Sequence, residues 1–311
     1  MINSINKIIL AAFAVIAFMS ASHTSVYAKV KVVTTIPDFG SITKEIGGDK
    51  VEVKSIVKGY QDPHFVDAKP NYMLWLNKAD LLIYNGLELE AGWLPVLITG
   101  SRNSKIISSN APGHLDASSL IQNKLEVPNS KLDKSMGDIH SGGNSHYLLD
   151  PRNGIPIAAG IAKRLKAIDP DHSQFYDQNL LAFTSKLKER ITAWEEKLEH
   201  LKGINLVTYH KSWLYFTGWA GFNEVGYIEP KPGIPPSPSH IAGLVKQMQE
   251  KDLQLILSES FYPQKTVRLV ADKTDAKLLV LPTMVDRDNG VPTYIDLFEK
   301  IIDEILKALA K

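Results

Sequence analysis

The sequence predicts an α/β protein built as two parallel-sheet lobes joined by one long helix. Three observations carry that expectation. Short apolar runs alternate with helical stretches through the first half of the chain, the alternation resumes after Gly203, and between the two runs one apolar stripe from Leu180 to Leu201. The expected division is a lobe over residues 29–168, a linking helix over 169–202 and a second lobe over 203–311.

Met1 to Ala28 carries one cation, Lys7, then an apolar run from Ile8 to Met19, then Val26-Tyr27-Ala28 as a small-residue cleavage site. This is the pattern of a cleaved secretory signal, residues 1–28. The apolar run is shorter than the roughly 20 residues a membrane span needs, and no later stretch approaches that length. Cysteine is absent, so neither a disulfide nor a lipid-modified N-terminal cysteine is expected, and the simplest reading is a soluble, monomeric periplasmic protein. Cleavage leaves 283 residues, more than one compact core usually holds. Without Lys7 there are 34 basic and 34 acidic residues, a balance that points to neither nucleic acid nor an anionic membrane surface as a general partner.

In order, Val30 to Thr35 reads as the first strand, and Pro37-Asp38 opens a helix that ends at Gly47-Gly48. Val51 to Val57 alternates apolar and polar residues as a strand does, and Pro70 opens a helix running to Ala79. Leu81 to Tyr84 is a strand, Trp93 to Ile98 a helix, and Lys105-Ile106-Ile107 a further strand. From Asn110 to Asn144 periodicity gives way to turn signals such as Pro112-Gly113 and Ser141-Gly142-Gly143-Asn144, the mark of a surface excursion. Arg152 to Ile168 is helical, and Asp169-Pro170 caps the long helix. There Leu180, Phe183, Leu187, Ile191, Trp194, Leu198 and Leu201 recur at steps of three and four until Gly203. At 1.5 Å per residue it reaches about 45 Å, enough to run along both lobes; the alternative is an ordinary surface helix of one lobe. Beyond Gly203, strands are expected at Ile204 to Tyr209, Phe222 to Ile228, Leu253 to Ser258 and Lys277 to Leu281. Helices are expected at Ser239 to Glu250, Gln264 to Lys273 and Thr293 to Ala310. The five prolines between Glu229 and Pro238 forbid a helix and favour a stiff loop.

Candidate chemistry gathers at strand ends, where open α/β sheets bind ligands. His64 follows the strand at Val51, His210 the strand at Ile204 and Glu259 the strand at Leu253, while His146 precedes a helical stretch. Three imidazoles and one oxygen donor make a closed tetrahedral set that suits zinc; a harder ion such as manganese favours more oxygen. Taken singly, His64 or His210 fits a structural hydrogen bond equally well. His172, His200 and His240 lie in or beside helices and read as solvent-exposed. His114 and His140 fall in the irregular excursion, as auxiliary metal contacts at most. No nucleophile elbow, phosphate-cradling loop or His-Glu-x-x-His helix is present. The aromatics Trp213, Tyr215, Phe216 and Trp219 read as core.

Asp62-Pro63-His64 before a Lys-Pro helix start, His146-Tyr147-Leu148-Leu149-Asp150-Pro151-Arg152-Asn153, Thr208-Tyr209-His210 before an aromatic segment, and a strand ending at Glu259 together resemble the cluster A-I zinc- and manganese-binding receptors of ABC transporters. The resemblance covers nearly the whole mature chain. It implies a metal site in the cleft between lobes, His64 and His146 as ligands from the first lobe, His210 from the second, and delivery of the ion to a membrane permease. Many members carry an aspartate just after the last strand, where this chain has Pro282 or Thr283. The oxygen donor therefore stays open among Glu259, Asp286, Asp288 and a water, with Glu259 favoured by its strand-end position. Members with glutamate in place of the third histidine prefer manganese, so His210 points to zinc, with manganese the alternative. A secreted zinc hydrolase with Glu259 as base would need an oxyanion stabiliser and a substrate pocket that no motif supplies, and an adhesin would need a surface anchor.

Overall fold

The computed structural model describes residues 28–128, 141–231, 233–251, 253 and 255–310. The secretory segment before Ala28 and His140 lie outside the described residues.

Each lobe is a four-stranded, wholly parallel sheet. The first comprises β1 (Val30–Thr34), β2 (Val51–Ser55), β3 (Leu81–Tyr84) and β4 (His114–Asp116) in the order β2-β1-β3-β4. The second comprises β5 (Asn205–Thr208), β6 (Asn223–Tyr227), β7 (Leu255–Ser258) and β8 (Lys277–Val280) in the matching order β6-β5-β7-β8. Strand order reverses beside β1 in one sheet and beside β5 in the other, which opens a crevice at the carboxyl ends of these strands. The first sheet is served by helices α1 (Pro37–Gly47), α2 (Pro70–Asn77), α3 (Leu94–Ser101), the single turn α4 (Ser104–Ile107) and α5 (Gly154–Ile168). After the long α6 (Ser173–Leu198) come α7 (Leu214–Ala220), α8 (Pro238–Glu250), α9 (Gln264–Thr274) and α10 (Tyr294–Leu309).

Two local expectations are corrected. The run at Lys105 is the helical turn α4, because Asn103 accepts from the backbone N–H of Lys105 at 3.0 Å as a helix cap does. The fourth strand instead lies inside the stretch read as irregular, at His114–Asp116, too short and too polar to show periodicity.

The main core is shared between the lobes. One continuous cluster takes in the first lobe, the inner face of α6 through Phe183, Leu187 and Trp194, the last helix through Phe298 and Ile302, and one face of the second sheet through Leu206, Leu255 and Leu257. Val207 and Ile256, which point to the opposite face as strand alternation requires, belong to a separate outer cluster under α8 and α9. Helix α10 ties the halves directly. The backbone N–H of Tyr294 donates to Ser41 Oγ at 2.9 Å, and the Tyr294 hydroxyl donates to the Leu148 carbonyl at 2.7 Å. Helix α6 adds Asn179, whose amide donates to the Ile46 carbonyl at 2.9 Å.

Candidate metal centre

The loop after β2 carries His64 into the crevice. Asp62 folds it back on itself: Asp62 Oδ1 accepts from the His64 backbone N–H at 3.0 Å and from its Nδ1 at 2.7 Å. The Trp93 indole N–H holds the same turn by donating to the Pro63 carbonyl at 3.0 Å. Burial pushes the Asp62 carboxyl up, but hydrogen bonds from His64 and the nearby imidazoles together hold it below the ordinary carboxylate range. A carboxylate on Nδ1 fixes the tautomer, so Nε2 is the nitrogen that would face a metal.

His210 leaves the end of β5 in the same manner. Its Nδ1 lies 2.5 Å from Glu229 Oε2, and the other carboxylate oxygen accepts from the Gly233 N–H at 2.9 Å. Glu229 stands beside His210 because β6 pairs with β5 and the ladder continues past both strands, Glu229 N–H donating to the Tyr209 carbonyl. Gly233 turns the proline-rich loop at a φ of 76°, a left-handed conformation that favours glycine. Sequence reasoning passed over Glu229, although its place at the end of a strand neighbouring β5 was a usable signal.

His146 arrives from the loop that precedes a 3₁₀ turn, Tyr147–Leu149. The Tyr147 hydroxyl donates to the Asn85 carbonyl at 2.7 Å, and the Asn85 amide donates to the Ser145 carbonyl at 2.9 Å. Asn85 is held by Glu90, buried at the end of β3 and pushed up to about 7 by that burial, which accepts from the backbone N–H groups of Asn85 and Gly86. The run His146 to Asn153 thus folds as two short turns pinned to the carboxyl end of the first sheet.

These three histidines meet. One nitrogen from each of His64, His146 and His210 lies within 4.8 Å of the other two, and the ring centroids are 5.3 to 5.6 Å apart. His64 and His146 come from the first lobe and His210 from the second. Glu259 is not in that cluster. It follows β7 at 1 % exposure, no hydrogen bond of ordinary geometry reaches its carboxylate oxygens, and burial pushes it up to about 8 against the pull of the Ser212 hydroxyl. Asp286 and Asp288 face a different groove, lined also by Lys44 and Lys58. A cavity of about 30 Å³, room for a water, adjoins His64 and His146 and is also lined by Asp38, Ser212 and Thr283. Asp38, 1 % exposed and pushed up to about 7 by burial, is a second carboxylate at the site that sequence reasoning missed, since it read as an ordinary first-turn acid of α1.

Three other described histidines, His114, His172 and His240, have structural partners. His114 is buried, with Nδ1 against the Ile106 carbonyl and Nε2 against the Tyr84 hydroxyl, so it is no auxiliary metal contact. His172 pairs with Asp169 and His240 with the Tyr227 carbonyl.

Two parallel α/β lobes bound by one long helix, with imidazoles of both lobes converging at the strand ends, define a two-lobed metal-binding receptor. A family model described as zinc-uptake complex component A, periplasmic, matches residues 32–308, and the chain belongs to that family. It is 27 % identical over 291 residues to the manganese ABC transporter substrate-binding lipoprotein PsaA of Streptococcus pneumoniae, covering 91 % of this chain and 90 % of the relative. It is 27 % identical over 319 residues to the iron-binding protein YfeA of Yersinia pestis, covering 97 % and 96 %. A crystal structure of ZnuA shares the fold at a TM-score of 0.75 and 24 % identity, over 90 % of this chain and 99 % of that one. Among the described residues no helix is long and apolar enough to cross a membrane.

Proposed function

We propose that this protein captures zinc outside the cytoplasm and hands it to the membrane permease of an ABC importer. The observation that supports this reading is the convergence of three imidazole nitrogens within 4.8 Å from both lobes, two of those rings backed by a carboxylate on Nδ1. Neutral imidazole suits zinc better than manganese, which prefers oxygen donors. The names of the family and of the relatives cover zinc, manganese and iron, so the donor set is the stronger guide for this chain. Glu259 is the proposed oxygen donor, on the strength of a buried carboxylate without an ordinary hydrogen bond, and a water in the adjoining cavity is its alternative. The relatives' description as substrate-binding proteins of transporters favours a receptor over a hydrolase. Purification without chelator followed by elemental analysis is the test. One zinc per chain is the expected result, chain-stoichiometric manganese would replace the ion while keeping the receptor, and no tightly bound ion on adding either metal would overturn the reading.

A further inference from the structure

Both ends of one amide side chain lie between the histidine loops of opposite lobes. Asn144, 7 % exposed, accepts through Oδ1 from the backbone N–H of His146 at 2.9 Å and donates through Nδ2 to the carbonyl of Lys211 at 2.9 Å. Lys211 is the residue after His210. The orientation of the amide is fixed by its partners, because a backbone N–H only donates and a carbonyl only accepts. The Nδ2 group also reaches Glu126 Oε2 at 3.3 Å, and Glu126 pairs with the Lys211 ammonium. Asn144 is itself held on both backbone atoms: its N–H donates to the Leu125 carbonyl at 2.8 Å, and its carbonyl accepts from the Tyr215 hydroxyl of the second lobe at 3.1 Å. That same hydroxyl accepts from the Leu125 N–H at 2.9 Å.

We propose that Asn144 is a positioning residue that sets the distance between His146 and His210 across the interlobe crevice, and so sets metal affinity without touching the metal. The inference rests on the three-histidine reading of the site. A side chain that only capped the turn before His146 would need its acceptor oxygen alone. Here the donor end spans to the other lobe, and the two main-chain groups it joins belong to His146 itself and to Lys211, one position from His210. A change of a few tenths of an ångström in that span moves both rings; the Tyr215 hydroxyl and the Lys211–Glu126 pair tie the same two loops beside it, but only the Asn144 side chain bonds directly to the main chain of His146 and of the residue after His210.

The two roles are separated by Asn144→Asp, which keeps an acceptor for the His146 N–H and loses the donor to Lys211, compared with Asn144→Ala, which loses both. Zinc affinity would be measured by chelator competition, the apo thermal midpoint recorded for each variant, and the visible absorption of bound cobalt(II) compared at saturation. Both variants should bind zinc about tenfold or more weakly, the usual loss when a residue supporting metal ligands is removed, and both should alter the cobalt bands. Wild-type affinity and an unchanged cobalt spectrum in Asn144→Asp would overturn the proposal and leave a turn cap. If Asn144→Ala fails to fold, Asn144→Asp carries the test by itself. Absence of zinc binding by the wild type would instead reject the proposed function, an outcome distinct from failure of the strut.

Discussion

Replacing Glu229 by glutamine removes one charge from behind His210 and nothing else in the proposed ligand set. The Glu229 side chain is 8 % exposed, and its two oxygens serve separate donors, His210 Nδ1 at 2.5 Å and the Gly233 N–H at 2.9 Å. Glutamine retains one acceptor oxygen, so either the imidazole or the loop keeps its tether while the other faces an amide N–H₂. The imidazole becomes less basic, and its preference for carrying the proton on Nδ1 weakens. Outer-shell carboxylates of this kind are worth about 10- to 100-fold in affinity, which is about 1.4 to 2.8 kcal/mol at 1.4 kcal/mol per decade. The low exposure of the pair places Glu229→Gln toward the upper part of that range, and Asp62→Asn, at 19 % side-chain exposure, toward the lower. Competition against a chromophoric chelator at constant pH, with the apo thermal midpoint as control, measures the effect. Wild-type zinc affinity in Glu229→Gln would refute the view that this carboxylate tunes a metal-binding imidazole.

His64→Ala, His146→Ala and His210→Ala should each weaken zinc binding sharply in calorimetric titration; unchanged affinity in any one removes that residue from the set. The apo protein should lose stability as pH rises, because Asp38, Glu90, Glu224 and Glu259 are held up to about 7, 7, 7 and 8 by burial. Protons kept in the folded state and released by the unfolded chain make the slope negative from the ordinary carboxyl range to about pH 8; thermal unfolding at pH 5 and 8 checks this, Glu259→Gln should reduce the slope, and a midpoint that rises with pH would contradict it. Zinc should move the lobes little, since α6 has no internal glycine or proline and the core runs through both halves. Hydrogen exchange should show protection gained in residues 141–146 and 283–292, and a large compaction in small-angle scattering would sink the expectation.

Most of the architecture was legible because burial leaves a periodic trace. The stripe Phe183, Leu187, Ile191, Trp194 and Leu198 is the buried face of α6, and the apolar runs at Leu81 and Leu255 are strands covered on both sides. The run at Ile106 misled because a β-branched pair is equally good filling for one helical turn, and the asparagine cap before it was decisive. His64, His146 and His210 were visible from their places at strand ends and element starts, since topology carries such positions to one crevice. Asp62 stands beside His64 in sequence, but the carboxylates Glu229 and Asp38 were passed over. Glu229 reaches His210 because β6 lies beside β5, a fact of sheet order, and Asp38, though it follows β1 directly, reads locally as an ordinary first-turn acid of α1. The continuity of the core was hidden for the same reason: Tyr294 and Phe298 belong by sequence to the second lobe, yet α10 packs back against the first.

The division of labour between nitrogen and oxygen at this site follows from two opposed demands. A dication held between lobes, in a crevice that excludes most water, needs negative charge nearby, because an uncompensated charge in a low-dielectric setting is costly. Carboxylates in direct contact would supply it, but oxygen donors would favour harder ions. Asp62 and Glu229 stand one imidazole away, each bound to the Nδ1 of a histidine, so the proposed metal would meet nitrogen while two negative charges remain within one ring of it. Asn144 fixes the main chain of His146, and the same amide grips the loop of His210. Asp62 and Glu229 thus bring charge behind His64 and His210, while Asn144 governs spacing. A substitution behind His64 or His210 should act mainly on the strength of each metal–nitrogen bond, whereas one at Asn144 acts on whether the three nitrogens can reach the same ion at once.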